Sequence, residues 1–213
     1  MFDKSPASPV QARPAVQRRG IERRKAILDA AETLLGEQGY EAATLKAIGE
    51  RAGIPIASMY HYFADRYQVD AELLRRHANA LDALTSAALD NSEVRTLRDA
   101  ADAIINPPLG YFRQHKSCTE LWFAGRHAML DEIMRAYDTA QAERLRRFLV
   151  ERDLITADTP QLVLRLAFEV GNRLFDVAFR RSPDGDEATI AEARRMVTAY
   201  LETYAPQGPG PRA

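Results

Sequence analysis

The sequence has one cysteine, Cys118, and one tryptophan, Trp122. A single thiol cannot close an internal disulfide, which excludes a disulfide-stapled scaffold and fits a reducing compartment. No run approaches the roughly 18 consecutive apolar residues of a membrane helix, and the first residues lack the apolar core of about 7–15 residues that marks a secretory signal. A cytoplasmic protein with no membrane partner is therefore expected. No alternation of apolar and polar residues marks a β-strand. Signatures of catalysis are missing too. His61, His77, His115 and His127 show no HExxH spacing, no glycine-rich phosphate loop is present, and Cys118 has no local nucleophile signature. His115, Cys118 and His127 could converge on a metal, but isolated His and Cys among aromatics are ordinarily packing residues. The expectation is no enzyme, no cofactor and no metal site. An excess of one charge is also lacking: 29 Lys and Arg against 30 Asp and Glu leave a net −1, which argues against indiscriminate nucleic-acid binding.

What is present is an uneven distribution of that charge. From Lys4 to Lys25 stand seven bases (Lys4, Arg13, Arg18, Arg19, Arg23, Arg24, Lys25) against Glu22, so 7 − 1 = +6. From Tyr67 onward 19 bases face 22 acids, giving −3. The positive field belongs to one end, as nucleic-acid binding requires. Residues 1–19, with Pro6, Pro9 and Pro14 and no apolar period, read as a flexible basic arm.

From residue 20 the pattern is helical throughout. Ile27, Ala30, Ala31, Leu34 and Leu35 form one stripe, stopped at Gly39. Asp65 can cap a further helix, with Gln68 completing a variant of the capping box, and Val69, Leu73, His77, Leu81 and Leu84 keep one face of it apolar to about Ala88. A helix from Leu97 meets Asn106-Pro107-Pro108, where proline removes a hydrogen bond, so a kink or new start is expected there. A long helix follows from about Arg126 to Asp153, apolar on one face and charged on the other. Another opens at Asp158-Thr159-Pro160, apolar on two sides. The last carries Ile190, Ala193, Val197, Tyr200, Leu201 and Tyr204, and residues 206–213 read as a tail. The final two long helices offer more apolar surface than one small domain needs, which a partner chain would cover.

Between the first helix and the Asp65 cap lies the stretch from Thr44 to Phe63. Leu45, Ile48 and Ala52 recur at helical spacing behind Thr44, a fitting N-cap. Gly53 supplies a permissive C-terminus, and Pro55 suits the first turn of a second short helix. Ile56, Met59 and Phe63 are expected to point inward, leaving Ala57, Ser58, His61 and Tyr62 outward and Tyr60 at the margin. Two short helices hinged on glycine suit a DNA-reading helix-turn-helix and an ordinary helical hairpin alike.

Ala30, Ala31, Leu34, Leu35, Gly39, Tyr40, Thr44, Leu45, Ile48, Arg51 to Ile54 and Ser58 to Arg66 stand in the order seen in the DNA-binding domain of the TetR family of transcriptional repressors, which residues 21–75 closely resemble. The resemblance implies an all-α protein: a three-helix helix-turn-helix domain over 20–66, then a helical ligand-binding and dimerisation domain over 67–205. It implies a ligand-responsive repressor that binds double-stranded DNA at a near-palindromic operator as a homodimer and answers to a small-molecule effector whose identity the sequence does not give. The alternative is a helical dimer that binds a ligand or protein and has no specific operator. Residue by residue, Thr44 and Tyr60 match phosphate-contacting hydroxyls, Ser58 and His61 sit at base-edge or backbone positions, and Arg66 matches the usual lysine that meets phosphate. Lys46 and Tyr62 complete the DNA-binding set. Pro55 replaces the frequent capping serine, Ile56 a polar or basic residue, and Gly49 the usual alanine.

For the implied ligand pocket, Tyr111, Phe112, Trp122, Phe123, Phe168 and Phe175 are candidate walls, with Arg126 and His127 as polar anchors. For the implied dimer face, Leu166, Val170, Leu174, Val197 and Leu201 are the candidates.

Overall fold

A computed structural model describes residues 13–90, 93–123 and 128–206 of the chain, the side chains from residue 18 onward. Among the described residues there are nine helices and no strand. They fall into two compact units that divide after Val69.

The first unit holds α1 (Arg13–Gln38), α2 (Leu45–Ala52), α3 (Ile56–Met59) and the opening turn of α4 (Arg66–Leu89). Ile27, Ala31, Leu34 and Leu35 of α1 are buried with Tyr40, Ala43, Ile48, Met59 and Phe63, so the helical spacing marks the core here. The flexible arm needs correction. Residues 1–12 lie outside the described residues, but from Arg13 the chain is already helical. Of the seven bases, all but Lys4 therefore ride on α1, and several are engaged. Arg18 pairs with Glu22, Lys25 with Asp29, and Arg24 donates to the Tyr62 carbonyl at 3.0 Å while lying over the Phe63 ring. Arg19 and Arg23 stay exposed.

The second unit holds the rest of α4 with α5 (Leu97–Gln114), α6 (Lys116–Trp122), α7 (Ala128–Glu151), α8 (Gln161–Arg181) and α9 (Glu187–Glu202). The helix α8 packs on both α7 and α9, and α9 also packs on α5. A core of Leu97, Ala100, Leu145, Leu149, Val163, Leu164, Ala167, Val197 and Leu201 lies among them. Two expectations are revised. The apolar stripe of α4 runs through His77, Leu81 and Thr85, all buried, whereas Leu84 is exposed. Of the kink or new start expected at the double proline, the new start does not occur: α5 runs through Pro107 and Pro108. Proline has no N–H, so the carbonyls of Ala103 and Ile104 lose their usual partners in the helix.

No described helix is long and apolar enough to cross a membrane.

Candidate functional site

Thr44 closes the N-terminus of α2, its hydroxyl oxygen accepting from the Ala47 amide at 3.1 Å, and its own hydrogen remains available to an outside acceptor. At the other end Gly53 takes the left-handed conformation, φ 66°, that a side chain would strain, and the amides of Gly53 and Ile54 return to the carbonyls of Glu50 and Gly49. This turn aims α3 across α2 at short range. A Cβ on Gly49 would stand 3.0 Å from the Ile54 carbonyl oxygen and 3.1 Å from Met59 Cγ, which explains glycine where the resemblance implies alanine.

Beyond the turn α3 is a single turn, Ile56–Met59, and Pro55 at its start brings no side-chain cap. Met59 and Phe63 are buried as expected, but Ile56 is 42% exposed. A one-turn helix does not hold its first residue against the core as a longer helix would. The outer surface then carries Ile56, Ala57, Tyr60 and His61, all exposed, flanked by half-buried Ser58 and Tyr62. Lys46 is exposed on α2, 3.8 Å from Glu50. Arg66 is half-buried. Its guanidinium donates to the Tyr40 carbonyl and stacks over the Tyr40 ring at 3.7 Å, so it fastens the start of α4 inward. Behind it, Asp65 accepts from the Gln68 amide at 2.9 Å, while the Gln68 side chain reaches the Ala64 amide, one residue beyond the expected capping box.

In the second unit a cavity of about 80 Å³ is walled by α4 to α9. Of the expected walls, Phe112, Trp122, Phe168 and Phe175 line it. Phe123 lines an adjoining outer cleft. Arg126 and His127 lie outside the described residues. Tyr111 faces elsewhere: its hydroxyl meets His77 Nδ1 at 2.8 Å and its ring stacks on His115 at 4.1 Å. His77, with Ser117 Oγ at 3.3 Å from Nε2, is held neutral, its pKa pushed down to about 4 by burial and then by His115 and Arg76.

The cavity also has polar groups that periodicity did not mark. Tyr137, Asp138 and Gln141 of α7, Thr85 of α4 and Asn172 of α8 all line it. Asn172 donates to Asp138 Oδ2 at 2.8 Å. Burial pushes the Asp138 carboxyl up to about 6, against the Asn172 hydrogen bond, with Glu169 adding a smaller upward push. Burial likewise raises Tyr137 above the ordinary tyrosine range, so its phenol stays protonated.

The dimer candidates divide. Leu166 and Val170 are exposed, in line on α8 with exposed Leu162, and Met196 is exposed on α9. Val197 and Leu201 are instead buried in the chain's own core, Val197 also against the cavity, so neither is open to a partner. Leu174 is half-buried.

Residues 27–73 match the family model for bacterial regulatory proteins of the tetR family, and residues 96–201 match the tetracyclin repressor-like C-terminal domain. The chain belongs to the TetR family. It is a DNA-binding transcriptional regulator of the helix-turn-helix type. Among TetR-family relatives, the transcriptional repressor KstR of Mycolicibacterium smegmatis is 37% identical over 67 residues, 32% of this chain and 33% of that protein. The chain thus matches about a third of the length of that repressor. The regulator BetI of Rhizobium meliloti is 28% identical over 183 residues, 84% of this chain and 89% of that one. Among solved structures, a TetR-family regulator from Streptomyces coelicolor aligns with a TM-score of 0.63 at 29% identity, over 85% of this chain and 99% of that one. RolR in complex with resorcinol aligns with a TM-score of 0.66 at 16% identity, over 90% of this chain and 98% of that one, a likeness of fold.

Proposed function

We propose that this regulator is a ligand-responsive repressor that grips a near-palindromic operator as a homodimer and lets go when a small molecule fills the cavity of its second unit. The observation that carries the reading is the exposed surface of α2 and α3, fixed by the Thr44 cap and the left-handed Gly53. Thr44, Lys46 and Tyr60 contact phosphate and set the register, while His61, Ser58 and Tyr62 face base edges. Exposed Ile56 adds an apolar contact suited to a thymine methyl group. Half-sites about one helical turn apart then match the twofold axis of the dimer. The exposed line Leu162, Leu166 and Val170 of α8, with Met196 of α9, is the dimer face.

The helix α4 supplies both the turn capped by Asp65 and the cavity residues Leu81 and Thr85. Occupancy of the cavity shifts the population toward a state with lower DNA affinity, by as much as the ligand prefers that state.

A footprint on the DNA upstream of the coding region tests it. Protection of a short inverted repeat is expected, with His61→Ala altering sequence preference and Tyr60→Phe weakening every sequence alike. Failure to protect any such repeat at low salt would return the chain to a helical dimer without an operator.

A further inference from the structure

Among the described residues, oxygen atoms of the cavity wall accept no hydrogen bond. Gln141 is 2% exposed, and its amide nitrogen donates to the Asp82 carboxylate. A carboxylate accepts only from the NH2 end, so the amide cannot be turned round, and Gln141 Oε1 is fixed as an acceptor. That oxygen is buried with no hydrogen-bond partner among the described residues. Asp138 Oδ1 is in the same condition, its other oxygen being held by Asn172. The two side chains sit three residues apart on α7, hence on one face, and both line the cavity. Leaving such groups unmet costs free energy, and a ligand with N–H donors removes that cost.

Charge and aromatic geometry narrow the chemistry. Among the described residues no lysine, arginine or histidine lines the cavity, and Asp138 is its one acid. The charged groups around Asp138 in the adjoining clefts are Asp131 and Glu169 as further acids and Arg135 and Arg165 as bases, so three acids face two bases. Trp122 and Tyr137 meet nearly at right angles, 88°, with ring centres 5.2 Å apart, and both line the cavity. Aromatic rings beside a carboxylate suit an ammonium group, and apart from Thr85, Gln141 and Asn172 the remaining walls are apolar. An anion would meet Asp138 with no counter-charge in the cavity wall. The raised carboxyl of Asp138 agrees, since it is the buried charge that a cation would neutralise.

From these contacts we infer that the cavity takes a protonated organic amine with an apolar body, its N–H groups donating to Asp138 Oδ1 and Gln141 Oε1 beside Trp122 and Tyr137. The inference rests on the cavity being the effector site and names the chemical class of that effector.

Trp122 is the sole tryptophan and lines the cavity, so its fluorescence reports occupancy without DNA. Three probes with one apolar body, phenylbutylamine, phenylbutanol and phenylbutyrate, are titrated into the full chain at neutral pH. The amine should bind tightest, and Asp138→Asn should weaken it about tenfold, as loss of a charge-assisted contact implies, while moving the alcohol by less than about threefold. Alcohol binding also shows that the variant is folded. Gly171→Leu serves as a second variant: a Cβ at Gly171 meets nothing within 4 Å, so leucine fits the helix and fills the cavity, and should abolish binding of all three probes. If phenylbutyrate or phenylbutanol binds as tightly as the amine, or Asp138→Asn keeps the amine's affinity, the amine assignment is overturned and the cavity reading stands. If no probe binds, or Gly171→Leu binds them unchanged, the cavity reading falls and the assignment with it.

Discussion

The two units of this chain carry their functional surfaces in opposite ways. In the first, the surface proposed to face DNA comes from one stretch, Thr44 to Tyr62, held by caps and turns between near neighbours in sequence. In the second, the cavity draws one or a few residues from each of α4 to α9, between Leu81 and Val197. A local surface is written in local chemistry: a hydroxyl before a helix, a glycine after it and apolar residues at helical spacing. A cavity assembled from six helices depends on which face each helix turns inward, and that is settled by packing across the whole unit.

The largest effect is expected where α9 serves the core of the second unit. Leu201→Ala removes a fully buried side chain and should lower unfolding stability by about 2–5 kcal/mol, read by chemical denaturation. A change near zero would mean that Leu201 faces a partner after all. Next, Leu166→Arg puts a charge on the exposed line of α8 at no cost to that core. It should yield monomers by sedimentation and lower operator affinity about a hundredfold, near 2.7 kcal/mol. Retained dimers would move the dimer face elsewhere.

A comparable effect, at the acid end, follows from His77. Its pKa falls from 6.5 to about 4 on folding, so the unfolded chain binds the extra proton between those values. Stability is therefore intact above about 6.5 and declines as pH drops toward 4, by roughly 3 kcal/mol in all. Asp138 acts in the opposite sense. Its pKa rises from 3.8 to about 6, so its contribution is present below 3.8 and is lost as pH rises through about 6. Urea midpoints across this range should therefore slope more steeply with pH in Asp138→Asn and less steeply in His77→Gln. Equal slopes in both variants would remove these two groups from the account. The smallest effect belongs to the first unit. Thr44→Ala should cost about 1 kcal/mol of stability through the lost cap and weaken all DNA sequences alike.

Much of the first unit was legible in the sequence for the reason the comparison supplies. Thr44, Gly53, Met59 and Phe63 take the places that capping and spacing assign. Ile56 did not, because α3 is too short for its period to fix a face. Prolines at 6, 9 and 14 suggest an arm to residue 19, but a helix tolerates proline in its first turn, and α1 begins at Arg13. In the second unit the helices were legible but their facing was not. The apolar lines Leu166 and Val170, and Val197 and Leu201, look alike in sequence, and packing sends the first pair to the surface and the second to the core. Asp138 and Gln141 were missed because polar residues on α7 read as a solvated face, while Tyr111 was drawn away from the cavity by His77.

The central claim is that the surface fixed by Thr44 and Gly53 reads a specific DNA sequence. Selection of bound duplexes from a random pool tests it most directly. The account predicts enrichment of an inverted repeat with half-sites about one helical turn apart, and a different preferred repeat for His61→Ala. A pool that emerges with no common sequence, or one that is the same for both proteins, would contradict it.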